Sequence, residues 1–213
     1  MTEPYYTLAT DTVFEQTIKK SRFIAHLYRI TDESDAQAKI AAVRAADSKA
    51  THHCFAYVLG DDDHIQRMSD DGEPSGTAGV PILEALKLNQ VHDVLAVVTR
   101  YFGGIKLGAG GLIRAYNSTP VQAIQAIGKV QRVRQTKLAV TIDYRNVDAL
   151  TYYLTQHHLA TLDTHYAVKV QLIIAVDTAA VDTTQTAITN LLSGQATFSN
   201  QGEQYNEVPL TTE

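Results

Sequence analysis

Residues 99–116 read TRYFGGIKLGAGGLIRAY and hold five of the chain's twelve glycines. Glycine loses more conformational freedom on folding than any other residue, so this concentration has to answer a geometric need. The segment before it, Val94 to Thr99, is almost continuously apolar and reads as a strand covered on both faces. The arginine-bearing apolar run after it reads as a helix. A buried strand, a bare-backbone loop and a helix in succession point to helices packed on a sheet. The glycines themselves admit two uses. Free amides at a helix start attract anions, and Arg100, Lys106 and Arg114 add positive charge nearby. Alternatively, the glycines allow tight helix-on-sheet packing and positive φ in turns, which is the favoured reading. Neither phosphate fingerprint is present, since no Gly-Lys-Ser/Thr occurs and GIKLGAGG does not match G-x-G-x-x-G.

The remaining chain divides near residue 135. Residues 1–134 read as one domain: strands at Val13 to Lys19 and Arg22 to Ile30, a helix over Asp32 to Ala46 capped by Asp32 or Ser34, and a strand in THHCFAYVLG. A hairpin partner at Ile65 to Met68 follows, then a helix with Ile82, Leu83 and Leu86, then the Val94 strand. Pro120 cannot sit inside a helix without cost, so the last helix is expected as a broken pair, 108–117 and 119–127, with Ser118 or Thr119 as the second N-cap. Residues 135–213 alternate at period two in Leu138, Val140, Ile142 and Tyr144, and again from Val168 to Val176. Helices capped by Asn146 and ended by Gly194 separate these from a short strand at Leu162 to Tyr166 and a closing strand near Ala196 to Phe198 or Tyr205 to Val208. The order is βαββαβ, a ferredoxin-like split βαβ arrangement, and the whole chain is α+β.

Charge and cysteine usage narrow the function classes. The net charge of −5 sits in the second part, because residues 1–135 hold 15 basic and 15 acidic side chains. A nucleic-acid surface is therefore expected only as a local patch on the first part. Lys19, Lys20, Arg22, Arg29, Lys129, Arg132 and Arg134 supply charge, with Tyr101 and Phe102 for stacking; ordinary solvated charge is the equal alternative. A single cysteine, Cys54, excludes an internal disulfide, and no secretory start or membrane-length apolar run is visible, so a cytoplasmic protein without membrane association is expected.

Two further constellations bear on chemistry. In SDDGEPSGTAG, residues 69–79, Asp70, Asp71 and Glu73 do not follow the calcium-loop spacing, so no metal is expected. Capping of the following helix, with Ser75 or Thr77 as the cap, and pairing with Arg100, Lys106 or Arg114 are the favoured roles. Alternation places His52 and Cys54 on one face of a strand and His53 on the other, which reads as a buried, unreactive cysteine.

HHCFAYVLG, SDDGEPSGTAGVPIL and VLAVVTRYFGGIKLGAGGLIRAY, in this order and spacing, resemble the signature of the IMPACT/YigZ family over residues 15–130, and the remainder is similar to the small C-terminal domain of its bacterial members. The motif falls on His53, Cys54, Asp70, Asp71, Gly72, Glu73, Pro74, Ser75, Gly76, Arg100, Tyr101, Phe102, Gly103, Gly104, Lys106, Gly108, Gly111, Arg114 and Tyr116, and departs from it at NSTP after Tyr116. The resemblance implies an N-terminal domain with the fold of the second domain of a small-subunit ribosomal protein, and a C-terminal domain similar to the last domain of elongation factor G. Eukaryotic members resemble regulators of translation under amino-acid starvation that act by binding proteins; the extra N-terminal recognition domain they carry is not among these residues. The expectation is a non-enzymatic protein of translation or stress regulation, without a cofactor. It binds RNA or the ribosome in a groove between loop 69–79 (Asp70, Asp71, Gly72, Glu73, Ser75) and loop 99–116. Arg100, Lys106 and Arg114 lie on phosphate, Tyr101 or Phe102 stacks, and Gly103, Gly104, Gly108 and Gly111 provide the backbone. Two rivals stay open: a phosphate-ester hydrolase in the same groove, with an acid as base or magnesium ligand, and an adaptor whose acidic C-terminal domain holds a protein partner.

Overall fold

A computed structural model describes residues 5–60 and 62–210. Two compact units emerge: Tyr5–Gln131 with residues 208–210, and Arg132–Glu207.

In the first unit a short strand, β1 (Tyr5–Leu8), precedes a five-stranded sheet. The sheet strands are β2 (Thr12–Ile18), β3 (Ser21–Arg29), β4 (His52–Leu59), β5 (Ile65–Ser69) and β6 (Val94–Tyr101), in the spatial order β2-β3-β6-β4-β5. Every neighbouring pair is antiparallel. The sheet is covered on both sides, which is why β6 at its centre reads as continuous hydrophobicity and Val94 to Val98 have no exposed surface. One face packs on α1 (Glu33–Ala46) through Ile40 and Val43 with Leu95 and Val97. The other packs on α2 (Gly79–Leu88) and α3 (Ala109–Ile127) through Ile82, Leu86, Tyr116 and Ile124. Asp32 caps α1 as the sequence implies, accepting the Asp35 amide at 2.8 Å.

The break expected in the last helix does not occur. α3 runs unbroken for 19 residues with Pro120 inside it. The proline removes one N–H, yet the Thr119 hydroxyl donates to the Ala115 carbonyl at 2.6 Å, and Gln16 Nε2 donates to Thr119 Oγ1 at 2.7 Å. Local hydrogen bonds thus support the turn, while Ala115, Tyr116, Thr119, Pro120, Ala123 and Ile124 are all buried along one face. Tertiary packing outweighs the local penalty.

The second unit has the expected order βαββαβ: β7 (Lys129–Ile142), α4 (Val147–Gln156), β8 (Thr161–Tyr166), β9 (Val170–Asp177), α5 (Val181–Leu191) and β10 (Ala196–Pro209). β7 starts in the first unit and passes into the second after Gln131. The order β10-β7-β9-β8 is antiparallel at the β7/β9 and β9/β8 pairs. Alternating Leu138, Val140 and Ile142 meet Leu172, Ile174, Leu150, Leu154 and Ile188 in an apolar cluster. Three details differ from expectation. Tyr144 lies beyond β7 in a single 3-10 turn, Asn146 makes no side-chain cap, and the two candidate closing strands are one strand of 14 residues. The extended β7 offers β10 a partner of equal length, so the polar residues between Phe198 and Tyr205 continue the ladder. No helix among the described residues is long and apolar enough to cross a membrane.

Candidate functional site

Loop 69–79 is organised by the three acids that the sequence singles out. Asp70 reaches forward to the start of α2, where its carboxylate accepts the amides of Gly76, Ala78 and Gly79 at 2.8, 3.0 and 2.8 Å. Burial disfavours its ionised form, but the three amides outweigh burial and bring the pKa below the usual carboxylate value. Asp70 is therefore the cap of α2. Neither Ser75, which is exposed, nor Thr77, whose hydroxyl donates to the Pro74 carbonyl at 2.6 Å, takes that role. A Cβ on Gly79 would lie 2.9 Å from the Ser69 backbone, so only glycine lets the helix start this close to β5.

Asp71, at φ 42°, turns the other way. Its carboxylate accepts the His53 amide at 2.6 Å and Arg44 Nη2 at 3.0 Å, and its carbonyl accepts from His52 Nδ1 at 2.8 Å. Gly72 follows at the exposed tip, and Glu73 then points inward. Glu73 Oε1 accepts Arg100 Nη1 at 2.6 Å and the Tyr116 hydroxyl at 2.8 Å. Arg100 is 5% exposed and Glu73 8%, so this is a buried ion pair bridging loop 69–79, β6 and α3. Burial pushes the Tyr116 hydroxyl far above its ordinary pKa and Cys54 up to about 12. Cys54 Sγ donates to the Asp70 carbonyl at 2.9 Å, consistent with an unreactive thiol.

The buried pair corrects the role expected for Arg100, which is not an exposed phosphate contact. Its Nη1 is taken by Glu73, its Nη2 lies 3.3 Å from Ser21 Oγ, and its Cζ sits 5.4 Å from the Phe23 ring centre and 5.5 Å from that of Phe102. Alternation along β6 places Arg100 on the same side as Ala96 and Val98, under α2 and α3. Tyr101 consequently faces the α1 side. Its hydroxyl donates to Asp47 at 2.8 Å and Arg22 lies over its ring, so it does not share a surface with Arg100.

What the structure does bring together is a cavity of about 350 Å³. Glu73 and Arg100 form its buried wall, Phe102 and Lys106 its loop side, and Gly108 and Ala109 the start of α3. Pro74, Leu107 and Leu112 make the rest apolar; sequence reasoning assigns none of them a role in the site, although Leu112 opens an amphipathic helix and is detectable by its period. Gly108 is the N-cap of α3 at φ 73° and offers no side chain to the helix start. The amides of Gly111 and Leu112 bond to its carbonyl, whereas those of Ala109 and Gly110 have no acceptor among the described residues. Gly103 serves packing: a Cβ there would lie 2.0 Å from the Lys20 carbonyl oxygen. This close approach sets the exposed Lys19–Lys20 turn against the loop carrying Gly104, Ile105 and Lys106. Gly111 lies in the first turn of α3, and Arg114 is exposed one turn on, outside the cavity lining.

The same segments carry the likeness to known proteins. Residues 19–124 match the Impact N-terminal domain, and residues 140–195 match a domain of unknown function, DUF1949. The chain is 41% identical to the IMPACT family member YvyE of Bacillus subtilis over 196 residues, covering 92% of this chain and 90% of that protein. It is 38% identical to the IMPACT family member YigZ of Escherichia coli over 172 residues, 80% of this chain and 84% of the other. Human Protein IMPACT is 30% identical over 140 residues, which cover 57% of this chain and 42% of the human protein. A crystal structure described as that of a hypothetical protein superposes with a TM-score of 0.62 at 32% identity, covering 93% of this chain and 97% of that one. With similarity running through both units at this level, the chain belongs to the IMPACT family.

Proposed function

We propose that this chain is a non-enzymatic cytoplasmic regulator of translation that binds single-stranded RNA at the cavity between Glu73 and the start of α3. One observation carries the reading: the acids of loop 69–79 are all committed to the protein, while the bases beside the cavity are not. Asp70 holds the α2 amides, Asp71 holds Arg44 and the His53 amide, and Glu73 holds Arg100. Lys106 and Arg114 are exposed, with no carboxylate within ion-pair distance among the described residues. An exposed aromatic ring, Phe102 at 48%, stands beside Lys106 as a stacking platform, and the exposed Lys19 and Lys20 extend the basic rim. The ribosomal-protein and elongation-factor folds that the family resemblance implies support the same assignment by analogy of fold.

The phosphate-ester hydrolase reading draws less support. Asp70, Asp71 and Glu73 each point to a different partner, the α2 amides, the His53 amide with Arg44, and Arg100 with Tyr116, and no group of three or more His, Cys, Asp or Glu side chains among the described residues is placed to hold a metal ion.

Fluorescence anisotropy of a labelled single-stranded RNA across a salt series tests the proposal. The expected result is affinity that falls with salt. Changing Lys106 and Arg114 to glutamine should reduce the slope by about 0.7 for each phosphate left without its cation. Phe102→Ala should weaken binding by about 1–3 kcal/mol without altering that slope. Absence of binding at low salt would overturn the reading.

A further inference from the structure

We infer that β8 is a self-association edge, which takes the β8 strand of a second copy of this chain in antiparallel pairing on a two-fold axis through Thr164. This goes beyond the RNA reading and does not depend on it.

β8 is the last strand of its sheet, and no strand among the described residues pairs with its outer side. The free amides and carbonyls of such an edge are a template for a further strand. Of its six residues only Thr164 is not exposed. The register to β9 shifts between Thr161 and Asp163, so the regular part of the edge is Asp163 to Tyr166. At its end the rings of Tyr144 and Tyr166 lie 6.4 Å apart between centres, inclined by 29°, and each is more than half exposed. The Tyr144 hydroxyl donates to the Ala167 carbonyl at 2.7 Å and holds the pair in place. Leu162 and Val168 are exposed as well. Large apolar groups gathered along an unpaired edge favour burial.

The order of charges names the occupant. Asp163 and His165, each more than half exposed, flank Thr164 on one face of the strand. A two-fold axis through Thr164 sets Asp163 against the partner's His165 and His165 against the partner's Asp163, with Leu162 near the partner's Tyr166. Moving the axis by half a residue in either direction loses the match, because Asp163 then faces Thr164 or Tyr166. In a single copy these groups turn back on their own strand: Asp163 Oδ2 lies 3.2 Å from His165 Nε2, and Oδ1 accepts the Thr164 amide at 2.7 Å. Pairing exchanges those contacts for equivalent ones across the axis, so the net gain comes from the apolar groups. A foreign strand would have to supply the same order of acid and base, whereas a second copy carries it by symmetry. Six residues on each side make a small interface, and the dimer is correspondingly weak.

Sedimentation equilibrium of the full chain, from micromolar to submillimolar concentration, reads the association, and circular dichroism checks that each variant folds. The expected result is a monomer–dimer equilibrium. Asp163→Lys sets a cation against His165, and His165→Asp sets carboxylate against carboxylate. Each should weaken the dimer about tenfold, since every cross-strand pair occurs twice. The two changes combined restore opposite charges across the axis and should recover the wild-type association. Thr164→Cys, which meets itself at the axis, should form a disulfide-linked dimer with glutathione disulfide faster than Thr186→Cys, at an exposed position on α5. A monomer at every concentration would overturn the proposal. So would a dimer indifferent to both single changes, a double variant no tighter than the singles, or equal cross-linking at the two cysteines.

Discussion

The two units handle charge in opposite ways. In the second unit the buried polar side chains among the described residues are the uncharged Thr136 and Thr184, and its ion pairs, such as Arg134–Glu203 and Lys169–Asp143, lie at the surface. The first unit buries an arginine, a glutamate, a tyrosine hydroxyl and a histidine between loop and sheet. Desolvating a charge is expensive, and a buried ion pair is often no more stabilising than apolar residues of the same volume. The pair in the first unit is therefore better explained by what it positions than by what it stabilises: it ties loop 69–79, β6 and α3 around one cavity, and departures from ordinary core rules tend to mark function.

The largest test of this contrast removes one partner from each kind of pair. Glu73→Ala leaves Arg100 buried without its counter-ion and should cost about 3–5 kcal/mol, read as a lowered midpoint in chemical denaturation. Glu203→Ala in the second unit should cost under about 1 kcal/mol, since that pair is substantially exposed. Similar losses at the two sites would break the distinction. Next in size is Asp70→Ala, expected to cost about 1–3 kcal/mol because three amides at the head of α2 lose their acceptor. The charge of Asp70 also makes a pH prediction. Its folded pKa lies below the reference 3.8, so its contribution is present above pH 3.8 and is lost as pH falls through the folded value; the variant should show a shallower acid decline.

Smaller still is Thr119→Val, which removes the hydroxyl that bonds the Ala115 carbonyl beside Pro120. A loss of about 1 kcal/mol in denaturation is expected, and no loss would mean that packing alone holds the proline in the helix. The smallest effects concern two histidines of the first unit with opposite signs. Burial lowers His26 below 6.5 against the pull of Asp47, so its contribution is present above pH 6.5 and lost on acidification. The hydrogen bond to Asp63 raises His92 above 6.5 against burial, so its contribution is present below pH 6.5 and lost as pH rises through the folded value. His26→Phe and His92→Phe should thus flatten opposite limbs of a stability profile between about pH 5 and 8; the same limb changing in both would refute these assignments.

Much of this was legible in the chain itself, and the reason is periodicity. Alternation in Leu138 to Ile142 and Val170 to Val176, the unbroken apolar run of β6 and the Asp32 cap all express interactions between residues close in sequence. Arg100 is an instructive case, because its inward direction follows from counting back two and four residues to Val98 and Ala96, yet its charge argues for the surface. What resolved that conflict was Glu73, 27 residues away. The same holds for the intact helix through Pro120, where Gln16 and a buried face outweigh a local rule, and for Asp70, which caps a helix from nine residues before its first residue. Local order was thus determined by the sequence through short-range sterics and burial pattern. Which charges are neutralised, and so which amides and bases stay free beside the cavity, was decided only by the tertiary structure, because electrostatic pairing depends on distance in space and not on separation along the chain.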